Sequence, residues 1–138
     1  MNSVLIVDPD PVSRLRLESG LSESNQFSGV FSCGSLSEVD RFVPVYKVSV
    51  IVLVQQLASD QAALDCITQA YLGVGLVLLT DEKQHIDEAL LSALGIHAQT
   101  STTASPLELM VTVAKAMVCR LKPPKRMRKT LFGRFMKD

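Results

Sequence analysis

The chain has 138 residues, 47% hydrophobic and 20% charged, with a formal net charge of zero. That length fits one domain whose core buries roughly two-thirds of the unfolded surface, and no apolar run approaches the roughly 20 residues needed to cross a bilayer. The zero balance conceals a polarity: residues 1–119 hold six Lys or Arg against thirteen Asp or Glu, while the last nineteen hold eight Lys or Arg against Asp138 alone. An acidic body of minus seven therefore carries a basic tail of plus seven, with Pro123-Pro124 near the boundary because proline cannot continue a helix. Two parts are expected, a folded domain over 1–121 and a basic segment over 122–138. Cys33, Cys66 and Cys119 are odd in number and widely spaced, which argues against a zinc site or a disulfide framework. With no basic leader before the first strand, the expected compartment is the cytoplasm.

In chain order, Val4 to Val7 predicts a buried strand ending in Asp8-Pro9-Asp10. Pro11 to Leu21 reads as a helix with Asp10 as N-cap and Pro11 at the first helical position. Val30 to Cys33 is a short second strand, and Ser35 to Phe42 a short helix with Ser35 and Glu38 in capping-box spacing. Val48 to Val54 is the strongest strand signal; Ser59 to Tyr71 follows as a helix stopped by Gly73. Gly75 to Leu79 predicts a fourth strand, Asp81 to Leu94 a helix stopped by Gly95, and His97 to Thr100 a fifth strand. Ser105-Pro106-Leu107-Glu108 opens a last helix running to about Leu121. Five β-α repeats imply an α/β fold, a doubly wound three-layer α/β/α sandwich around a mostly parallel sheet. In such a sheet, ligands sit at the carboxyl ends of the central strands. Here the first tip carries Asp8 and Asp10 and the fourth Thr80-Asp81, but the third ends in Val54-Gln55-Gln56 with no carboxylate.

The order of these landmarks resembles the receiver domain of bacterial response regulators over about residues 3 to 121. The residues that carry the resemblance are Val4-Leu5-Ile6-Val7-Asp8-Pro9-Asp10-Pro11, Val50 to Leu53, Leu78-Leu79-Thr80 and Ser105-Pro106-Leu107-Glu108-Leu109. It implies a five-stranded parallel sheet of order 2-1-3-4-5. It also implies two acids after the first strand that bind magnesium, a phosphate-accepting aspartate ending the third, a hydroxyl ending the fourth and a lysine before a proline ending the fifth. Asp8 matches the first acid, Pro9 stands at the second with Asp10 one place on, Val54 stands at the acceptor and Thr80 at the hydroxyl. Thr102 and Thr103 replace the lysine and proline, and Gln99 replaces the aromatic three residues before that lysine. Valine and the Gln55 and Gln56 amides cannot form an acyl phosphate. Asp8 with Asp10 across a rigid Pro9 makes a poor magnesium site. The expectation is a pseudo-receiver, non-enzymatic and without cofactor or metal, in which Asp8, Asp10, Val54, Thr80 and Thr102 form a degenerate phosphorylation pocket.

Plainer roles stand beside these. Asp8 reads more readily as a strand-end acid, and Asp10 and Asp81 as helix N-caps, than as ligands. His85 and His97 have no acid or Cys partner in reach, and Gly73-Val74-Gly75 precedes a strand, the wrong order for a nucleotide loop. The last helix is apolar on too many faces for a surface helix. A broad core face explains the excess as well as a protein partner or homodimer does. The resemblance places the contact near the fourth helix, fifth strand and last helix, with Gln99, Met110, Val113 and Met117 as its candidate residues. The tail offers Lys125, Arg126, Arg128 and Lys129 with Phe132 and Phe135, a pattern suited to nucleic acid or an anionic membrane surface, or to an idle terminus. The reading is a phosphorylation-independent module for protein-protein interaction in signalling; the alternative is a basic-tailed binder whose folded body presents residues 122–138.

Overall fold

The structure, a computed structural model, describes residues 3–59, 61–71, 73–81 and 86–120. The apolar runs form five parallel strands, β1 (Ser3–Val7), β2 (Gly29–Cys33), β3 (Val48–Val54), β4 (Gly75–Thr80) and β5 (Ala98–Ser101), in the order β2-β1-β3-β4-β5. Helices α1 (Pro11–Ser22), α2 (Val39–Tyr46), α3 (Gln61–Ala70), α4 (Glu88–Leu94) and α5 (Pro106–Cys119) cover its two faces. This is the expected doubly wound sandwich. The basic segment 122–138, with Lys125, Arg126, Arg128, Lys129, Phe132 and Phe135, lies outside the described residues, as does His85.

Both faces of the central strands are buried, so their side chains alternate between two cores. Leu5, Val7, Ile51, Leu53, Leu76 and Leu78 pack against Val39 and Val43 of α2, Leu64 and Ile67 of α3 and Leu91 of α4. Val4, Ile6, Val50, Val52, Val77 and Leu79 pack against Leu17 and Leu21 of α1 and Leu109, Val113 and Ala116 of α5. One irregularity interrupts the alternation. Ser3 pairs with Val48 but Val4 with Val50, which leaves Ser49 as an extra residue in β3 and turns Val48 to the opposite core from Val50. On the α5 side, a Cβ on Gly75 would stand 2.8 Å from the Ala116 carbonyl oxygen; this close approach seats the end of α5 on β4 and excludes any side chain there.

The local signals act as the residue chemistry requires. Asp10 caps α1, its carboxylate accepting from Val12 N–H at 3.1 Å, and Gly95 ends α4 at φ 80°. Ser35 and Glu38 form the capping box, but around a 3-10 turn (Leu36–Glu38), and α2 then runs past Phe42 to Tyr46. Pro44 removes one backbone donor from this two-turn helix, which is retained because Val39 and Val43 are buried under the sheet; Lys47 in the left-handed region (φ 51°) stops it without a glycine. The fourth helix is the larger departure: it begins at Glu88, not Asp81.

Candidate functional site

At the carboxyl edge of the sheet the parallel register carries each strand tip to a definite neighbour. Val7 pairs with Leu53, so the next residues, Asp8 and Val54, stand side by side; Val54 pairs in turn with Leu79, and Thr80 with Ser101. The five pocket candidates therefore lie along one edge. Asp8 is 3% exposed, its Oδ1 accepts from Asp10 N–H at 2.9 Å, and its Oδ2 is buried without a hydrogen-bond partner. Val54 is 8% exposed and closes the top of the core beneath α1 and α5. Thr80 is buried and its hydroxyl donates to the Thr100 carbonyl at 3.4 Å. Thr102 N–H donates to the Thr80 carbonyl at 2.9 Å. Together with Gln55, Gln56 and Asp81, Val54 and Thr102 line an open depression of about 350 Å³.

Two residues tie this edge together that the sequence does not single out. Gln55 accepts from Asp81 N–H at 3.2 Å, joining the tips of β3 and β4. Arg16, on α1, donates to the Thr102 carbonyl at 2.6 Å and so clamps the loop after β5. The Arg16 contact spans 86 residues, and no local pattern announces it. Asp81 is exposed and its N–H donates to Gln55, while α4 starts seven residues on, at Glu88.

The sequence matches no family model and no curated protein. Solved structures do match. A response regulator receiver domain protein from Clostridium thermocellum aligns at TM-score 0.71 with 13% identity, over 88% of this chain and 98% of that one. The signal receiver domain of an HD domain-containing protein from Pseudomonas fluorescens Pf-5 aligns at 0.68 with 20% identity, over 87% and 97%. The isolated REC domain of RcsB from Salmonella enterica serovar Typhimurium, determined with the phosphomimetic BeF3-, aligns at 0.61 with 18% identity, over 83% and 87%. The chain has the receiver-domain fold.

On this receiver fold the donor set does not fit magnesium. A small hard cation takes near-octahedral oxygen coordination. The one buried carboxylate at the edge is Asp8, whose Oδ1 holds Asp10 N–H; Asp10 Oδ1 holds Val12 N–H, and the Asp10 and Asp81 side chains are exposed. Pro9 and Val54 supply no side-chain oxygen, and among the described residues no three His, Cys, Asp or Glu side chains cluster as a metal site. A larger groove of about 540 Å³ adjoins this edge at Gln56, between the Leu36–Glu38 turn and α3, with Leu36, Leu57, Cys66 and Ile67 in its walls. Cys66 is exposed, whereas burial pushes the Cys33 thiol up to about 11 and leaves it unreactive at neutral pH.

The candidate interaction residues separate on the receiver scaffold. Val113 is fully buried against the sheet and belongs to the core, which corrects its assignment to a surface. Met117 is half-buried against that same core and Met110 is half-buried as well. Gln99 is engaged: its side-chain oxygen accepts from Ile86 N–H at 3.1 Å and its amide donates to the Ile86 carbonyl at 2.5 Å. These two bonds hold Ile86 beside β5, and α4 starts two residues beyond it. The exposed apolar positions of α5 are Leu107, Val111, Ala114 and Val118. They lie opposite Leu109, Val113 and Ala116 on the helical wheel once those three are known to face the sheet.

His97 replaces a backbone partner at the start of β5. Its Nδ1 accepts from Leu76 N–H at 3.0 Å, its Nε2 is buried without a partner, and burial lowers its pKa. Protonating Nδ1 would set a donor against the Leu76 donor. A lowered folded pKa means full stability above the unfolded value of about 6.5 and progressive loss as pH falls from there toward the folded value. Urea unfolding is therefore expected to show stability lost through this group as pH falls below about 6.5. His97→Asn, whose Oδ1 takes the place of Nδ1, is expected to remove that part of the pH dependence.

Proposed function

We propose that this chain is a pseudo-receiver, a non-enzymatic cytoplasmic signalling module that binds protein through the exposed face of α5 and does so without phosphorylation. The observation that carries the reading is the position of Val54: it stands beside Asp8 at the tip of β3, where the receiver resemblance implies a phosphate acceptor, and its side chain belongs to the core. Three further features support it. Pro9 removes the second acid, the Thr80 hydroxyl is directed at the Thr100 carbonyl, and Thr102 brings no cation to the edge. The Gln55 and Arg16 contacts tie the strand tips to one another and to α1.

The test is incubation of the full chain with magnesium and a small phosphodonor, read by intact-mass spectrometry, and with magnesium and beryllofluoride, read by amide chemical shifts. No phosphoryl adduct and no shift at residues 8, 54, 80 and 102 are expected. An adduct, or a mimic-dependent change at these residues, would overturn the reading.

The charge split favours one alternative, that the body presents residues 122–138 to nucleic acid or an anionic membrane. Binding that falls steeply with salt and vanishes when residues 122–138 are deleted would select it.

A further inference from the structure

Helix α5 has fourteen residues, about 21 Å of axis, and carries two faces. Leu109, Val113 and Ala116 are buried against the sheet. On the opposite side Leu107, Val111 and Val118 are 65%, 58% and 66% exposed, and Ala114 is exposed between them. The spacing of this second set is four, three, four, which is the alternation of core positions in a helix pair. No other described helix carries exposed apolar side chains at that spacing over its length.

What flanks the stripe decides the occupant. Along one flank stand Glu108 and Lys115, both exposed and two turns apart, too far to pair with each other. Along the other stand Met110 and Met117, half-buried. We infer that α5 pairs with α5 of a second copy of this chain, antiparallel about a two-fold axis between Val111 and Ala114. Leu107 then meets the second copy's Val118, and Val111 meets its Ala114, whose small side chain permits close approach. Antiparallel packing brings the same flank of each helix together. Glu108 of each copy therefore faces Lys115 of the other, twice by symmetry, while Met110 and Met117 meet across the other flank. A parallel pair would set the charged flank against the methionines and leave both charges without partners.

The charge of the whole chain selects the same orientation. Residues 120–138 carry plus seven and follow α5 directly. Antiparallel pairing starts the two basic segments at opposite ends of the interface, each beside the acid-bearing carboxyl edge of the other body; parallel pairing would start them side by side. A single helix pair buries less than the roughly 1,200 Å² of a stable interface, so the dimer is expected to be reversible and micromolar. This inference rests on the proposed α5-face reading and names its partner.

Charge exchange tests it, with mass in solution followed by sedimentation across a concentration series. The wild-type full chain is expected to dimerise. Glu108→Lys and Lys115→Glu are each expected to weaken the dimer by tenfold or more, with unchanged far-ultraviolet circular dichroism because both positions are exposed. Mixing the two single variants restores both ion pairs and is expected to recover dimers of wild-type affinity, as is the double exchange within one chain. A wild-type chain that stays monomeric up to on the order of 100 μM overturns the dimer. A mixture no tighter than the single variants overturns the antiparallel register. Repeating the wild-type series with magnesium and beryllofluoride separates the two claims. A monomer indifferent to the mimic removes the α5 pair and leaves the phosphorylation-independent reading standing, whereas a mimic-dependent change in mass removes that reading.

Discussion

Val54→Asp is expected to lower stability by about 3 kcal/mol at neutral pH, the cost of an unpaired charge at a closed site. Val54 is 8% exposed, and its neighbour across the β1–β3 ladder is Asp8, already buried with one oxygen lacking a hydrogen-bond partner. The new carboxylate would lose the packing of a buried valine, about 1.5–3 kcal/mol in transfer terms, and would meet a like charge without a cation to neutralise it. Burial and the like charge both favour the protonated acid, so the penalty is expected to shrink as pH falls toward about 4. Urea unfolding of the wild type and the variant over that range checks both the size and the slope. A variant as stable as wild type at neutral pH would mean that the strand tips are open to water, and the argument that Val54 closes the core would fail. The same substitution restores an acid at the position where a receiver carries its phosphate acceptor.

Val113→Asp and Val111→Asp are expected to have opposite consequences, though the positions are two residues apart on one helix. Val113 is fully buried between α5 and the sheet, so an aspartate there loses its packing and places a charge in an apolar core, a cost of about 4 kcal/mol or more, enough to consume much of a small domain's stability. Val111 is 58% exposed, and an aspartate there is expected to change the monomer's stability by less than about 0.5 kcal/mol while abolishing self-association. Thermal unfolding and sedimentation on the two variants separate the roles. Should Val113→Asp fold normally, the seating of α5 on the sheet would be wrong.

Most of the fold was legible because its signals are local. Runs such as Val50-Ile51-Val52-Leu53 are apolar on both faces and short, which only a strand buried between two helical layers explains, and Asp10-Pro11 and Gly95 mark helix ends through their own backbone preferences. The chemistry missing from the third strand tip was legible for the same reason, since a side chain without a carboxylate is a fact of composition. The start of α4 was not. Asp81 has the look of an N-cap, yet α4 starts at Glu88, beyond Ile86, whose backbone is held by Gln99 from another part of the chain. Val113 was misplaced because a helix apolar on many sides does not say which side meets the sheet until its neighbours are known.

The sequence by itself determined the repeat of strands and helices, the acidic body with its basic tail, and the absence of a carboxylate at Val54, because each follows from residue type or short-range spacing. Only the tertiary structure decided which face of α5 remains outside, which phase β3 takes past the extra Ser49, and that Arg16 and Gln55 lock the strand tips. These depend on contacts between residues far apart in the chain, where a shift of one position exchanges a buried side chain for an exposed one.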